Sequence, residues 1–202
     1  WVFALLAVSC FLTYALAVAW SNPLPVIFWI NSAGVLLQLG AAVLFVRLVW
    51  PKRHQLELSG WSGFLIKLAF VCFVGKIAMQ SAVAVPVVAE AAYTIRNYAI
   101  GFIHLILLGA ITPFLLGFAL RQKLLRLNVL SRVGLGLFVA GFLLSEAVLF
   151  LQGTMFWASL GFMPVYYEGL FAVSALLPVG VGMLLTGQWA IRGTSALEYR
   201  NL

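Results

Sequence analysis

Lys76, His104 and Glu146 are ionisable side chains set inside long apolar runs, and they are the residues of this sequence best suited to chemistry. A charge at membrane depth is costly, so such groups turn toward one another or toward a cavity rather than toward lipid. An ammonium and a carboxylate within hydrogen-bonding reach keep both charges, whereas an isolated buried one tends to neutralise. The expectation is therefore a Lys76–Glu146 ion pair, direct or through Gln80. Such a pair would fix helix register, relay protons or anchor a cofactor's carboxylate, and the residues alone leave these open. His104 has two readings as well. It donates to a backbone carbonyl as a structural histidine, or its imidazole ligates haem or a metal such as copper. It is the one histidine within an apolar run, since His54 lies in the basic loop Lys52-Arg53-His54, so a bis-His haem or a three-His copper site would need ligands from elsewhere. Cys10 and Cys72 have no metal-ligand spacing and read as small core residues. There is no GxSxG, HExxH, P-loop or dinucleotide fingerprint, which argues against soluble hydrolase or kinase chemistry and leaves a redox role open.

The elements that position these residues follow from composition. Of 202 residues, 64% are hydrophobic and 8% charged, there is no Asp, and the mean hydropathy is +1.11. So few charges cannot cover a water-exposed surface of this size, so lipid is the solvent expected. The net charge of +7 could suggest nucleic acid, but the cations fall in short clusters between apolar runs and not along one polar face, which excludes that partner. A hydrocarbon core about 30 Å thick takes about 20 helical residues. Six segments meet that length: 1–20, 25–49, 62–85, 99–120, 130–151 and 170–191. The fold class expected is thus all-α, a polytopic transmembrane bundle forming a single domain. It begins inside an apolar run, as the C-terminal part of a longer chain would. Arg47, Lys52 and Arg53, then Arg121, Lys123, Arg126 and Arg132, then Arg192 and Arg200 mark one side of the membrane, while the alternate connections carry only Arg96 among cations. By the positive-inside rule both termini are cytoplasmic, and the placement expected is the bacterial inner membrane.

Counting residues from the helix ends puts Lys76 and Glu146 roughly 21 to 24 Å above the inner surface, with His104 near the same height. Asn31 and Gln80 map to this outer-half layer, together with Tyr14, Ser145 and Ser174. Above it, Tyr93, Arg96, Asn97 and Tyr98 form an exterior cluster that could meet Glu90 or Glu168, and the connection 153–169, with Tyr167 and Glu168, is aromatic. The cluster reads either as a vestibule or as an interfacial anchor. Pro113 cannot donate to the carbonyl of Gly109 and should kink its helix there. The glycines at 134, 136, 141, 180, 182 and 187 suit close helix packing.

The stretch 101–121 carries His104, then Gly109-Ala110-Ile111 beginning five positions later, then Arg121 at the cytoplasmic end. It resembles a helix of the NnrS family, multi-helix membrane proteins similar in outline to the large subunit of haem-copper oxidases and associated with haem, copper and nitric oxide stress. The likeness covers about a tenth of the chain. It implies that His104 is a haem or copper ligand. The Gly-His-Thr-Gly-Arg pattern that follows in that family is replaced here by Gln122-Lys123-Leu124-Leu125-Arg126, and its earlier His-rich helices are missing. Three functions are then weighed. One is a haem- or copper-associated respiratory or nitrogen-oxide protein. A second is a transporter or permease binding solute at Asn31, Lys76, Gln80 and Glu146. The third is a structural membrane subunit of a larger complex. The partners expected are the lipid bilayer and either other membrane subunits or an N-terminal half.

Overall fold

A computed structural model describes residues 1–18, 25–51 and 59–200, with the side chains of 14–18 and 191–200 left aside. The expectations for Tyr14, Arg192 and Arg200 as side chains, and for Lys52, Arg53 and His54, lie outside the described residues. Everything regular among the described residues is helical. The elements are α1 (Val2–Val18), α2 (Pro25–Val49), α3 (Gly60–Ala82), the short α4 (Pro86–Thr94), α5 (Arg96–Arg121), α6 (Val129–Trp157) and α7 (Tyr166–Arg200).

Local chemistry sets several of these limits. α3 starts after an extended Ser59, and α4 begins with Pro86 at its first turn, where a missing N–H costs nothing. Asn128 caps α6 by accepting the Ser131 N–H at 2.8 Å, and its own amide donates to the Gly187 carbonyl at 3.1 Å. Gln188 holds the same loop, donating to the Arg126 carbonyl at 2.6 Å and accepting its N–H at 3.1 Å. At the other end Gln152, fully buried, accepts from the Met163 N–H at 2.8 Å and donates to the Gly161 carbonyl at 3.2 Å. Side chains on α6 and α7 thus satisfy both loops that flank α6.

The distribution of polarity is inside out. Trp1, Phe3, Phe11, Phe171 and Trp189 are exposed, while Ser9, Thr13, Gln38, Ser131, Ser145 and Gln152 are buried. That pattern suits hydrocarbon, where small and polar side chains hold helices together and large apolar ones face out. Five helices are long and apolar enough to cross a membrane: Trp29–Val49, Gly60–Ala82, Arg96–Arg121, Val129–Trp157 and Tyr166–Ala190. The segment expected at 1–20 is helical over Val2–Val18, and its apolar stretch among the described residues is Val2–Thr13.

Several boundaries move from the sequence expectation, three of them around the loops before α4 and after α6. The third helix stops at Ala82 and gives way to a turn before α4, the fifth runs on to Trp157, and the last begins at Tyr166. Both helices continue past the apolar run, and the end of α6 is closed by backbone bonds from the Ala158 N–H to the Thr154 carbonyl and from the Leu160 N–H to the Met155 carbonyl. The connection read as 153–169 is accordingly only the loop 158–165. Packing is pairwise: α1 lies along α2, α3 along α5, α5 along the outer part of α6, and α6 along α7. At the α6–α7 seam a Cβ on Gly134 would stand 2.6 Å from the Gly180 carbonyl oxygen, so glycine is required for that approach. Gly141 and Gly187 sit in the same seam, whereas Gly182 faces open space and Gly136 only nears Trp61. The hairpin α1–α2 meets α3 through Phe45, whose ring lies 6.5 Å from Phe70 and 6.0 Å from Phe73.

Candidate functional site

His104 ends the first α-helical part of α5, and a π-helical turn, Leu105–Ile111, follows at once. Pro113 explains the turn. Lacking an N–H, it leaves the ladder one bond short, and the backbone widens so that the Thr112 N–H reaches the Leu107 carbonyl five residues back. The Thr112 hydroxyl donates to the same carbonyl at 2.8 Å. The expected break at Gly109 is therefore a π-turn that absorbs the proline. Gly109 lies inside it, against the Phe142 ring and 2.9 Å from the Cys72 sulfur, measured from where a Cβ would stand.

The turn sets α5 against both neighbours in a clear antiparallel register. The Ser62 hydroxyl donates to the Gly117 carbonyl at 2.8 Å, Cys72 lies beside Gly109, and Gly75 faces Leu105. Lys76 is thus level with His104. On the other side His104 Nδ1 stands 3.6 Å from Glu146 Oε1. The equal height expected for these three residues is what the structure has.

The pairing differs. Glu146 faces His104, and among the described residues no ion pair joins it to Lys76. Lys76 is buried, and Cys10 on α1 is close enough to act on it electrostatically. Both Glu146 oxygens are buried without a hydrogen bond, and so are His104 Nδ1 and Gln80 Oε1. A separation of 3.6 Å is beyond a hydrogen bond, and a small side-chain rotation closes it. The Glu146 side chain is 10% exposed and that of His104 32%, so the imidazole keeps an open side.

Asn31 is buried, yet it does not join this layer. Through the contacts of Phe45 with Phe70 and Phe73, it lies beyond the level of Lys76, toward the Pro25 end of α2. Gln38, one heptad below Asn31 and 1% exposed with both amide atoms unpaired, is nearer that level. It was passed over in the sequence, although its spacing from Asn31 on one face of α2 is readable there.

The exterior cluster is partly assembled. Asn97 donates to the Tyr166 hydroxyl at 2.8 Å, and the Tyr98 hydroxyl donates to Thr154 at 3.2 Å while its ring packs on Phe150. Tyr167 belongs to an aromatic group with Phe156, Phe162 and Tyr166. Arg96 and Glu168 are exposed, and among the described residues no ion pair links Arg96 to Glu168 or Glu90. Tyr93 is half-buried on α4. Between α3, α4, α5 and α6 lies a cleft of about 170 Å³, lined by Met79, Ala82, Val83, Val88, Ala91, Ala92, Tyr98, Phe150 and Trp157. Phe150 is one turn above Glu146, and Gly101 faces both: a Cβ there would be 3.0 Å from the Phe150 ring and 3.4 Å from Glu146 Oε2. The cleft shares Phe150 with this region, but Glu146 is not among its lining residues and both carboxylate oxygens are buried.

His104 and Glu146 offer two metal donors, and among the described residues no three His, Cys, Asp or Glu side chains converge as a metal would require. Of the side chains that line the cleft, only Met79 and Tyr98 carry an atom of a kind that ligates iron, and His104 is not among the lining residues. The residues present do not make up a haem or copper site by themselves. No protein-family model, curated protein or solved structure matches the chain.

Proposed function

We propose that the protein is a solute carrier of the bacterial inner membrane, with six spans and both termini cytoplasmic, in which the His104–Glu146 pair exchanges a proton as solute moves. The observation that carries this reading is a buried carboxylate whose two oxygens have no hydrogen-bond donor, with an imidazole nitrogen 3.6 Å away. A purely structural pair would be expected to close its hydrogen bonds, since each buried polar atom left open costs free energy. An open pair can instead hold one proton, on Oε1 with both groups neutral or on Nδ1 as an imidazolium beside a carboxylate, at the same net charge. The short π-turn beside His104 supports the same reading, because such turns often sit where a helix must adjust.

The test has two parts. In purified protein the infrared carbonyl stretch of a protonated buried carboxyl should titrate, vanish in Glu146→Gln and shift its midpoint in His104→Ala. In proteoliposomes with an entrapped pH dye, a panel of amines, amino acids and carboxylates should include solutes that drive proton movement, slowed at least tenfold by Glu146→Gln. A wild-type carboxyl that never titrates, or solute-driven proton movement indifferent to Glu146→Gln, would end this reading.

A haem- or copper-associated role, which the NnrS-like stretch 101–121 implies, is the second reading. The open side of the His104 imidazole favours it, and its other ligands must then come from a further subunit or an N-terminal half. A Soret band lost in His104→Ala would establish it, and a colourless, metal-free preparation of the intact assembly would remove it.

A further inference from the structure

We infer that Lys76 and Gln38, where α1, α2 and α3 meet, bind the carboxylate of a monocarboxylic acid. This site does not rest on the carrier reading, because neither side chain belongs to the His104–Glu146 pair.

Two independent registers bring the residues to one level. Across α2 and α3, Phe45 meets Phe70 and Phe73. These helices run antiparallel, and Gln38 lies one heptad before Phe45, so it presents nearly the same face of α2 within about a turn of the height of Lys76. Across α1 and α2, a Cβ on Gly34 would stand 2.8 Å from Leu12 Cβ, and one turn further along α2 Gln38 comes level with Ser9. Cys10, next to Ser9, is close enough to Lys76 to act on it electrostatically. Lys76 is therefore beside the seam that holds Gln38.

The junction has a charge and no counter-charge. Lys76 is 9% exposed and Gln38 1%. Among the described residues Lys76 has no ion pair, and both amide atoms of Gln38 are without a hydrogen-bond partner. Gln80, one turn above Lys76, adds a buried amide oxygen with no donor. An amide oxygen accepts an ammonium N–H but does not offset its charge, and a buried cation without a counter-ion is costly. A carboxylate brings both, with two oxygens to accept from Lys76 Nζ and Gln38 Nε2 and one negative charge. A second carboxylate on the ligand would stay unpaired, because α1, α2 and α3 carry no other cation at this level. Cys10 and Phe11 are exposed on the outer face of α1, so the junction is near the lipid-facing surface of the bundle. The same two donors serve a short acid from water and a fatty acid from lipid.

The test uses the whole chain in lipid nanodiscs, with empty nanodiscs as the blank and two matched pairs of probes in calorimetry: butyrate against butyramide, and laurate against dodecanol. In at least one pair the carboxylate should bind at least tenfold more tightly than its uncharged counterpart, the first pair marking a solute from water and the second a ligand from lipid. Lys76→Gln should abolish that preference, and Gln38→Leu should weaken carboxylate binding at least threefold. Overturning results are a wild-type protein that prefers neither carboxylate, a preference that survives in folded Lys76→Gln, or affinity unchanged in folded Gln38→Leu. A Glu146 carboxyl that never titrates ends the carrier reading and leaves this site untouched.

Discussion

At the scale of single residues the sequence determines height and leaves direction open. Residue counts place Lys76, His104 and Glu146 at one level, and the register of Gly75 against Leu105 and of His104 against Glu146 agrees. Which of the three meet depends on rotation about each helix axis. α3 is apolar nearly all round, so no polar face tells which way Lys76 points, and the expected Lys76–Glu146 pair gave way to His104–Glu146. Gln38 was missed for a related reason, because a lone amide in an apolar run reveals its burial only once α1 is laid against α2. The tightest residue-level constraint is Gly109. A Cβ there runs into the Phe142 ring and lies 2.9 Å from Cys72 Sγ, and Phe142 is 1% exposed with little room to yield. Gly109→Ala should therefore cost about 2 kcal/mol, within the usual range for overpacking, read by unfolding in mixed micelles with increasing denaturing detergent. Adding Phe142→Leu should recover at least half of that loss in a double-mutant cycle. Additive losses would show that the strain is relieved elsewhere.

At the scale of elements, proline marks a disturbance without stating its form. Pro113 announces a missing hydrogen bond near Gly109, and either a kink or a widened turn answers it. The tertiary context chooses: α5 is packed by α3 on one side and α6 on the other, and a bend would break one contact. The backbone takes in one extra residue over Leu105–Ile111. That residue rotates His104 relative to everything beyond Thr112, so the His104–Glu146 alignment depends on it. Pro113→Ala restores a donor and lets the turn relax to ordinary α geometry. The variant should be more stable by about 1 kcal/mol from the recovered bond, yet His104 should turn away from Glu146. The expected readout is a carboxyl titration midpoint indifferent to His104→Ala in the Pro113→Ala background, whereas it shifts in the parent. A midpoint equally sensitive in both backgrounds would show that the π-turn does not set the pair.

At the scale of the whole molecule, composition and run length were enough to give an all-helical bundle with spans in lipid, because that solvent imposes one length and one polarity on every crossing. Boundaries were less legible. The extensions of α6 to Trp157 and of α7 back to Tyr166 fall in the aromatic stretch 153–169, where apolar run length sets no helix limit, and the bonds that Gln152 and Asn97 make there are not announced by the sequence. How α1 sits is the largest remaining point, since its 17 residues rise roughly 26 Å. Topology turns on it: with α1 crossing, both ends share a side, and without it they lie on opposite sides. In the orientation proposed above, Arg121, Lys123, Arg126 and Arg132, which flank the loop between α5 and α6, face the cytoplasm, because moving such a cluster outward is unfavourable. In a background with Cys10 and Cys72 replaced by Ser, Lys123→Cys should resist a membrane-impermeant maleimide in intact cells and react after permeabilisation. Ser159→Cys, in the loop between α6 and α7, should react at once. A cysteine placed before Val2 should behave as Lys123→Cys does if α1 spans. Labelling of that cysteine from outside would instead leave five crossings, with α1 lying against α2 without traversing the bilayer.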